Sequence, residues 1–227
     1  MRRIFSIIFV LTVVVSQAQK KDITLEDIYK KQTFRQDAVS GFRSMQDGLH
    51  YSEINTKGEL VQMNFKEGLQ DAVLANLKEM IYKGDTLKVE DYEFNQDETK
   101  LLLFTEGEAI YRRSYLKKVF VYDLKSKQLL AVHDQKVLHA TFSPQSDKVA
   151  FVYKNNLYYH DLTTKQTKQI TTDGSYIIIN GNCDWVYEEE FEFTRAFEWS
   201  PKGDFLAYYR FDQTAVPEYN FALYDKL

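Results

Sequence analysis

The chain carries a pattern of aromatic, acidic and apolar positions that recurs four times. In the copy that begins at Phe142, an Asp stands at offset 5, an aliphatic residue at offset 7 and an aromatic residue at offset 9. The copy at Trp199 repeats each of these positions, the copy at Phe42 keeps the same offsets, and the copy at Phe94 matches more loosely. Starting points about 50 residues apart predict a repeat architecture.

Each copy predicts a hairpin of two short antiparallel strands, and most copies continue into a second hairpin. The first hairpin turns at Ser-Pro-x-Gly-Asp or a variant of it, which is typical turn chemistry. A third strand, a polar turn and a fourth strand follow, as in residues 119–124, 125–127 and 128–132. Such units indicate β-propeller blades, and an ordinary β-sandwich is the alternative. We expect an all-β fold, a partial β-propeller with about three complete four-stranded blades and one incomplete blade.

Two segments fall outside this pattern. Residues 22–31 predict a short amphipathic N-terminal helix, with Thr24 as its N-cap and Asp27 three residues on. Residues 71–83 fit a helix or a strand equally well. Because a propeller closes by pairing its last blade with its first, an incomplete one is expected to be part of a larger protein.

The N-terminus has the features of an export signal. Met1-Arg2-Arg3 supplies positive charge, residues 4–15 are almost all apolar, and Ser16-Gln17-Ala18 places small residues where a signal peptidase cleaves. The apolar run is shorter than the roughly 20 residues of a membrane-spanning helix, and a buried strand is the alternative. The sequence predicts a signal peptide over residues 1–18, an incomplete propeller over residues 19–227, and export as a soluble protein.

Composition excludes several classes of function. The 227 residues are 44% hydrophobic and 27% charged, as in a globular protein. A formal net charge of −4 argues against nucleic acid as a partner, since phosphate binding needs a basic surface. The single cysteine, Cys183, excludes a disulfide framework and a cysteine-based zinc site, and we expect it to be a buried, inert thiol.

Familiar catalytic motifs are missing from the sequence. It contains no Gly-x-Ser-x-Gly elbow, no Gly-x-x-x-x-Gly-Lys loop and no His-Glu-x-x-His motif. We therefore predict no catalytic residue, no metal site and no cofactor in this chain. The histidines occupy unrelated positions of the repeats and are expected to be structural: His50, His133, His139 and His160.

Two charged segments remain as candidate sites. Residues 182–192 place four carboxylates within five residues, beside Trp185, Tyr187 and Phe191. Composition alone favours a solvated acidic edge, while a calcium site and a glycosidase pair remain open. The second segment, residues 111–115, holds two adjacent arginines and by itself suggests a basic turn.

Together these segments resemble the propeller domain of the dipeptidyl peptidase IV family. The resemblance lies in Asp-Trp-Val-Tyr-Glu-Glu-Glu at residues 184–190, in Trp-Ser-Pro-x-Gly from Trp199, and in Thr-x-Val-Pro-x-Tyr from Thr214. The segment Arg112-x-Ser114-Tyr115 looks like the arginine-bearing segment of the same family. The acidic motif is highly specific, whereas the Ser-Pro-x-Gly turns occur in many propellers.

The resemblance implies an exported serine exopeptidase that removes dipeptides with Pro or Ala in second place. In that family the propeller covers a C-terminal α/β-hydrolase domain, which carries the Ser, Asp and His triad. Glu189 and Glu190 would hold the α-ammonium group of the substrate, with Arg112 beside them. Glu188 and Glu192 are expected to be structural or solvated.

This chain contains no triad, so we expect it to be inactive alone. Its implied partners are peptides with a free N-terminus and the hydrolase domain of the full-length protein, and a homodimer is left open. The alternative is an exported, non-catalytic propeller that acts as a protein-interaction scaffold, like the TolB-type repeats. A carbohydrate-active propeller is a third interpretation.

Overall fold

A computed structural model describes residues 22–36, 41–220 and 222. The predicted signal peptide, residues 1–18, lies outside the described residues. The chain divides into two units, Met1–Ser40 and Gly41–Leu227, and each is described by itself. Within the described residues, no helix combines the length and the apolar character needed to cross a membrane.

The described part of the first unit, residues 22–36, contains one helical turn, Glu26–Lys30. Its N-cap position is Leu25 and not the predicted Thr24, but Thr24 and Asp27 form a reciprocal pair of hydrogen bonds at the start of the turn. The Asp27 N–H donates to Thr24 Oγ1 at 3.1 Å, and the Thr24 N–H donates to Asp27 Oδ2 at 3.3 Å. The turn is shorter than the predicted residues 22–31, and Gln32 follows it with a φ of +50°, a conformation that cannot continue a helix.

The second unit begins with three four-stranded antiparallel sheets, in the order that the repeats predicted. The first sheet is formed by β1 (Arg43–Ser44), β2 (His50–Ile54), β3 (Glu59–Asn64) and β4 (Gln70–Asn76). A small hairpin of β5 (Ile81–Tyr82) and β6 (Asp85–Thr86) follows it. The second sheet is formed by β7 (Val89–Phe94), β8 (Lys100–Ala109), β9 (Tyr115–Asp123) and β10 (Leu129–Ala131). The third sheet is formed by β11 (Leu138–Phe142), β12 (Lys148–Tyr153), β13 (Asn156–Asp161) and β14 (Gln166–Gln169). The all-β, partial-propeller prediction with three complete blades is confirmed.

The central strands of these blades are buried on both faces. Leu101 and Leu103 pack into a core shared with the first blade, whereas Leu102 faces a core shared with the third. Strand β12 alternates in the same way, because Phe151 joins the second core and Val152 joins the third. Side chains of a strand point to opposite faces in turn, so double burial requires an unbroken apolar run.

The turns between strands explain the repeated polar residues. At the first hairpin of the third blade, the Lys148 N–H donates to Ser143 Oγ at 3.0 Å, and Ser146 has a φ of +60°. At the second hairpin, Asp161 Oδ1 accepts the N–H groups of Thr163 and Thr164 at 2.9 and 2.7 Å. These side-chain bonds fix the loop and therefore the register of the strands.

The segment that fitted a helix or a strand contains both kinds of structure. Residues 71–83 complete β4, pass through a 3₁₀ turn at Leu77–Glu79 and enter β5. The Asn76 side chain accepts the N–H of Lys78 at 3.2 Å and so caps this turn. A helical turn at the end of a strand accounts for the mixed pattern.

The fourth blade contributes its first hairpin to the described residues, and an excursion interrupts that hairpin. Its strands are β15 (Ile178–Asn180), β16 (Phe197–Trp199), β17 (Leu206–Tyr208) and β18 (Arg210–Asp212), where β15 pairs with β18 and β16 pairs with β17. The Gly181 N–H donates to the Tyr209 carbonyl, and the Tyr209 N–H donates to the Ala196 carbonyl. Strands β15 and β16 are therefore two halves of one broken strand. Residues 223–227, which follow this hairpin, lie outside the described residues.

Candidate functional site

Two backbone hydrogen bonds close the base of the excursion between β15 and β16, which is formed by residues 181–196. The Cys183 N–H donates to the Thr194 carbonyl at 3.0 Å, and the Ala196 N–H donates to the Gly181 carbonyl at 3.1 Å. Between these bonds lies a short helix, α1 (Trp185–Phe191). The carboxylates of residues 182–192 stand out in the sequence, but their pattern does not predict this helix.

Local bonds and aromatic packing hold α1 in place. Asp184 is its N-cap and accepts the Tyr187 N–H at 2.9 Å with one carboxylate oxygen, while the other accepts from Gln213 at 3.2 Å. The Tyr187 ring packs against Phe211, at 4.8 Å between centroids, and against Phe193 at 5.8 Å. A helix of seven residues is too short to be stable alone, so these tertiary contacts define it.

Two of the three predicted binding residues meet in the structure. Arg112 lies in the loop formed by residues 110–114, between β8 and β9, and its Nη1 is 3.3 Å from Glu189 Oε2 on α1. The Glu189 side chain is 17% exposed and that of Arg112 is 71% exposed. The pair therefore joins a sheltered carboxylate to a guanidinium that faces solvent.

The third predicted residue, Glu190, follows Glu189 on the same helix and is exposed. Within the described part of the chain it forms no ion pair. Three adjacent carboxylates at residues 188–190 thus have three different surroundings. Glu188 is buried, Glu189 is paired with Arg112, and Glu190 is available to another cation.

Glu188 is the buried member of this group, at 1% exposure. Its Oε1 accepts the backbone N–H groups of Arg113 and Ser114, the latter at 3.1 Å. Arg113 reaches back, with Nη1 donating to the Glu188 carbonyl oxygen at 2.9 Å and Nη2 donating to Glu192 Oε1 at 3.1 Å. Glu188 is therefore structural, and Glu192 is an exposed carboxylate that pairs with Arg113.

Two cavities border the 110–114 loop. One, of about 540 Å³, has a partly aromatic wall that includes Tyr111 of the loop and Trp185 of α1. The other, of about 270 Å³, is lined by cationic side chains that include Arg113, Lys117 and Arg195. The loop thus connects an aromatic surface on one side to a basic one on the other.

Two further side chains that the sequence singled out are those of Cys183 and His139. Cys183 is buried, and burial, with the negative charges of Asp184 and Glu188, raises the pKa of its thiol to about 12. Burial of the His139 ring lowers its pKa to about 4, and its Nε2 lies 2.7 Å from Asn182 Oδ1. Among the described residues, no three His, Cys, Asp or Glu side chains are grouped closely enough to hold a metal ion.

Comparison with known proteins identifies the family of this chain. The family model for the dipeptidyl peptidase IV (DPP IV) N-terminal region matches residues 95–227. Dipeptidyl aminopeptidase B of Saccharomyces cerevisiae is 38% identical over 151 residues, covering 66% of this chain and 18% of that protein. Dipeptidyl peptidase 4 of Trichophyton rubrum is 34% identical over 194 residues, covering 84% of this chain and 24% of that protein.

A solved structure extends the match to the fold. The crystal structure of Porphyromonas gingivalis dipeptidyl peptidase 4 is similar with a TM-score of 0.79 and 36% identity, covering 92% of this chain and 30% of that one. The chain spans less than a third of the length of each of these proteins. Since the family model covers more than half of its residues, the chain belongs to the dipeptidyl peptidase IV family, of which it represents the N-terminal region.

Proposed function

We propose that this chain is the N-terminal propeller portion of an exported serine exopeptidase, and that Glu189, Glu190 and Arg112 bind the N-terminus of its peptide substrate. The observation that carries the proposal is the ion pair between Arg112 Nη1 and Glu189 Oε2, at 3.3 Å, on a helix inserted into a propeller blade. The substrate class follows from relatives that are named as a dipeptidyl aminopeptidase and a dipeptidyl peptidase.

The charges suit an α-ammonium ligand. Two carboxylates that converge on one ammonium group form charge-assisted hydrogen bonds, which are stronger than bonds between neutral groups. Arg112 occupies one oxygen of Glu189, which leaves the other oxygen and both oxygens of Glu190 for the three ammonium protons. The guanidinium also offsets the repulsion between the two neighbouring acids.

Such a site acts by positioning. An N-terminus held at a fixed distance from a nucleophile presents only the bond after the second residue for cleavage, which makes the enzyme an exopeptidase. We assign the nucleophile to a C-terminal α/β-hydrolase domain of the full-length protein. Arg112 would also bind a carbonyl oxygen of the substrate.

Export is part of the proposal, because the apolar segment at residues 4–15 has the length and flanking residues of a signal peptide. N-terminal sequencing of the mature protein from its native host should begin at Gln19. A mature protein that begins at Met1 or Arg2 would contradict export by this route.

The binding role is tested by steady-state kinetics of the full-length protein with a chromogenic Xaa-Pro substrate. Glu189→Gln and Glu190→Gln keep side-chain size but remove charge, so each should lower kcat/KM by roughly 10- to 100-fold. Glu198→Gln, a change at an exposed carboxylate of β16, is the matched control and should leave kcat/KM unchanged. Unchanged kinetics in both site variants would reject the role, and a full-length protein with no hydrolytic activity would favour the scaffold alternative.

A further inference from the structure

We propose that Glu188 and Arg113 are positioning residues that fix Arg112 against Glu189 and thereby set the affinity of the site for a peptide N-terminus. The proposal rests on the proposed function, since it concerns the same site. It goes further by assigning a task to two residues outside the proposed binding set, each of which bonds through its charged group to the backbone of the other. We call their four hydrogen bonds the Glu188–Arg113 clamp.

The first half of the clamp holds the loop. One oxygen of the buried Glu188 carboxylate accepts two consecutive backbone N–H groups, those of Arg113 and Ser114. Arg113 follows Arg112 directly, so this carboxylate fixes the backbone from which the Arg112 side chain extends. A buried carboxylate that lost these donors would be left without partners, which strongly disfavours any other arrangement of the loop.

The second half of the clamp holds the helix. The Arg113 guanidinium donates through Nη1 to the Glu188 carbonyl oxygen at 2.9 Å and through Nη2 to Glu192 Oε1 at 3.1 Å. The last carbonyl groups of a helix have no partner within it, and a cation near this end is favourable. Arg113 thus ties the C-terminal end of α1 to the loop whose N–H groups Glu188 binds.

The ion pair between Arg112 and Glu189 is too weak to fix the 110–114 loop against α1 by itself. Arg112 is 71% exposed, and ion pairs on the protein surface contribute little because water screens them and the side chains lose freedom. The clamp is centred on the buried Glu188 carboxylate, which water does not screen, and it lies one residue away from each member of the pair. A shift in the clamp therefore moves Arg112 and Glu189 relative to each other.

Loss of the clamp should weaken substrate binding in the full-length protein. If Arg112 and Glu189 are misplaced, they bind the substrate N-terminus less tightly in the ground state and in the transition state alike, and such a loss raises KM. Glu188→Ala in the full-length protein should raise KM for an Xaa-Pro substrate on the order of 10- to 100-fold, with a smaller change in kcat. Glu188→Gln keeps an oxygen that accepts both N–H groups and should restore much of the affinity.

Double-mutant kinetics separate positioning from general damage. If Glu188 acts through Arg112 and Glu189, Glu188→Ala should add little to KM in a Glu189→Gln background, because the contact it supports is already lost. A variant that only weakens the fold would reduce activity by the same factor in both backgrounds. Amide hydrogen exchange at Arg113 and Ser114 should also accelerate in Glu188→Ala and stay slow in the control Glu198→Gln.

Arg113→Met provides a second route if Glu188→Ala fails to fold, since it keeps the bonds from Glu188 to the loop and removes only the guanidinium. It should raise KM, and Arg113→Lys should recover part of the loss. Folded Glu188→Ala or Arg113→Met proteins with unchanged KM, or additive effects with Glu189→Gln, would overturn the positioning role. If Glu189→Gln itself left KM unchanged, the proposed binding function would be the part that failed.

Discussion

Arg112 Nη1 lies 3.3 Å from Glu189 Oε2, so a cation from the second blade meets a carboxylate from a helix inserted into the fourth. The third blade separates the strands that carry them, and its two faces pack against the second and fourth blades. The site therefore depends on packing between blades. Damage to a core between blades should weaken the site even where no site residue is changed.

Replacement of Arg112 should lower the activity of the full-length protein while leaving its stability almost unchanged. Arg112→Met removes the guanidinium beside Glu189 and should lower kcat/KM of the full-length protein by roughly 10- to 100-fold, because a charge-assisted contact is lost. The free energy of unfolding should change by less than about 1 kcal/mol, since the pair is exposed on the arginine side. Arg112→Lys, which keeps the charge without the planar fork, should give an intermediate kcat/KM. A loss of stability equal to the loss of activity would show that Arg112 is a structural residue.

Gly181 should tolerate no side chain without a loss of stability. It has a φ of +72°, and a Cβ there would lie 3.2–3.3 Å from Val152, Leu157 and Phe197. Gly181→Ala combines backbone strain with crowding and should reduce the free energy of unfolding by at least about 2 kcal/mol.

The matched control for this change is Gly68→Ala, where φ is +66° and nothing lies within 4 Å of the added carbon. Strain alone should cost about 1 kcal/mol there. The two variants are compared by denaturant titration. Equal losses of unfolding free energy would mean that the side chains around Gly181 move aside with little loss of stability.

His139 should make stability depend on pH. Burial holds the pKa of its ring at about 4, below its ordinary value of 6.5. The stability from the neutral ring is fully present above pH 6.5 and is lost as the pH falls toward 4, because the unfolded chain takes up a proton first. His139→Asn suits the φ of +56° and removes the titration.

Comparing the pH dependence of the two proteins separates the effect of this histidine from that of the carboxylates, which both proteins contain. Between pH 6.5 and 4, the free energy of unfolding of the unchanged protein should fall more steeply than that of His139→Asn, by up to about 1.4 kcal/mol per pH unit. Parallel pH profiles would show that folding does not lower the pKa of the His139 ring.

The repeats could be predicted from the sequence because each level of structure pointed to the same answer. Buried strands gave apolar runs such as Leu101–Leu103, and the turns between them carried Asn, Asp, Ser or Gly at fixed offsets. These are local signals, and they follow from double burial and from turn geometry. Blade number and strand order followed from them.

The clamp could not be predicted in the same way. Nothing in the run at residues 188–190 indicates that Glu188 turns inward while Glu190 faces solvent, because the donors for Glu188 come from a distant loop. A helix of seven residues also gives little periodicity. The one available signal was Asp184, an N-cap residue directly before the helix. The roles of Glu189, Glu190 and Arg112 came from the family resemblance and remain predictions.

The central claim is that the acidic residues recognise a free N-terminus. The most direct measurement compares kcat/KM for an Xaa-Pro chromogenic substrate with that for its N-acetylated form, using the full-length protein and its Glu189→Gln, Glu190→Gln double variant. The unchanged protein should prefer the free amine by on the order of 100-fold or more, and the double variant should lose most of this preference because the acetylated substrate has no ammonium group to bind. Efficient cleavage of the acetylated substrate by the unchanged protein, or a preference that survives in the double variant, would contradict the account.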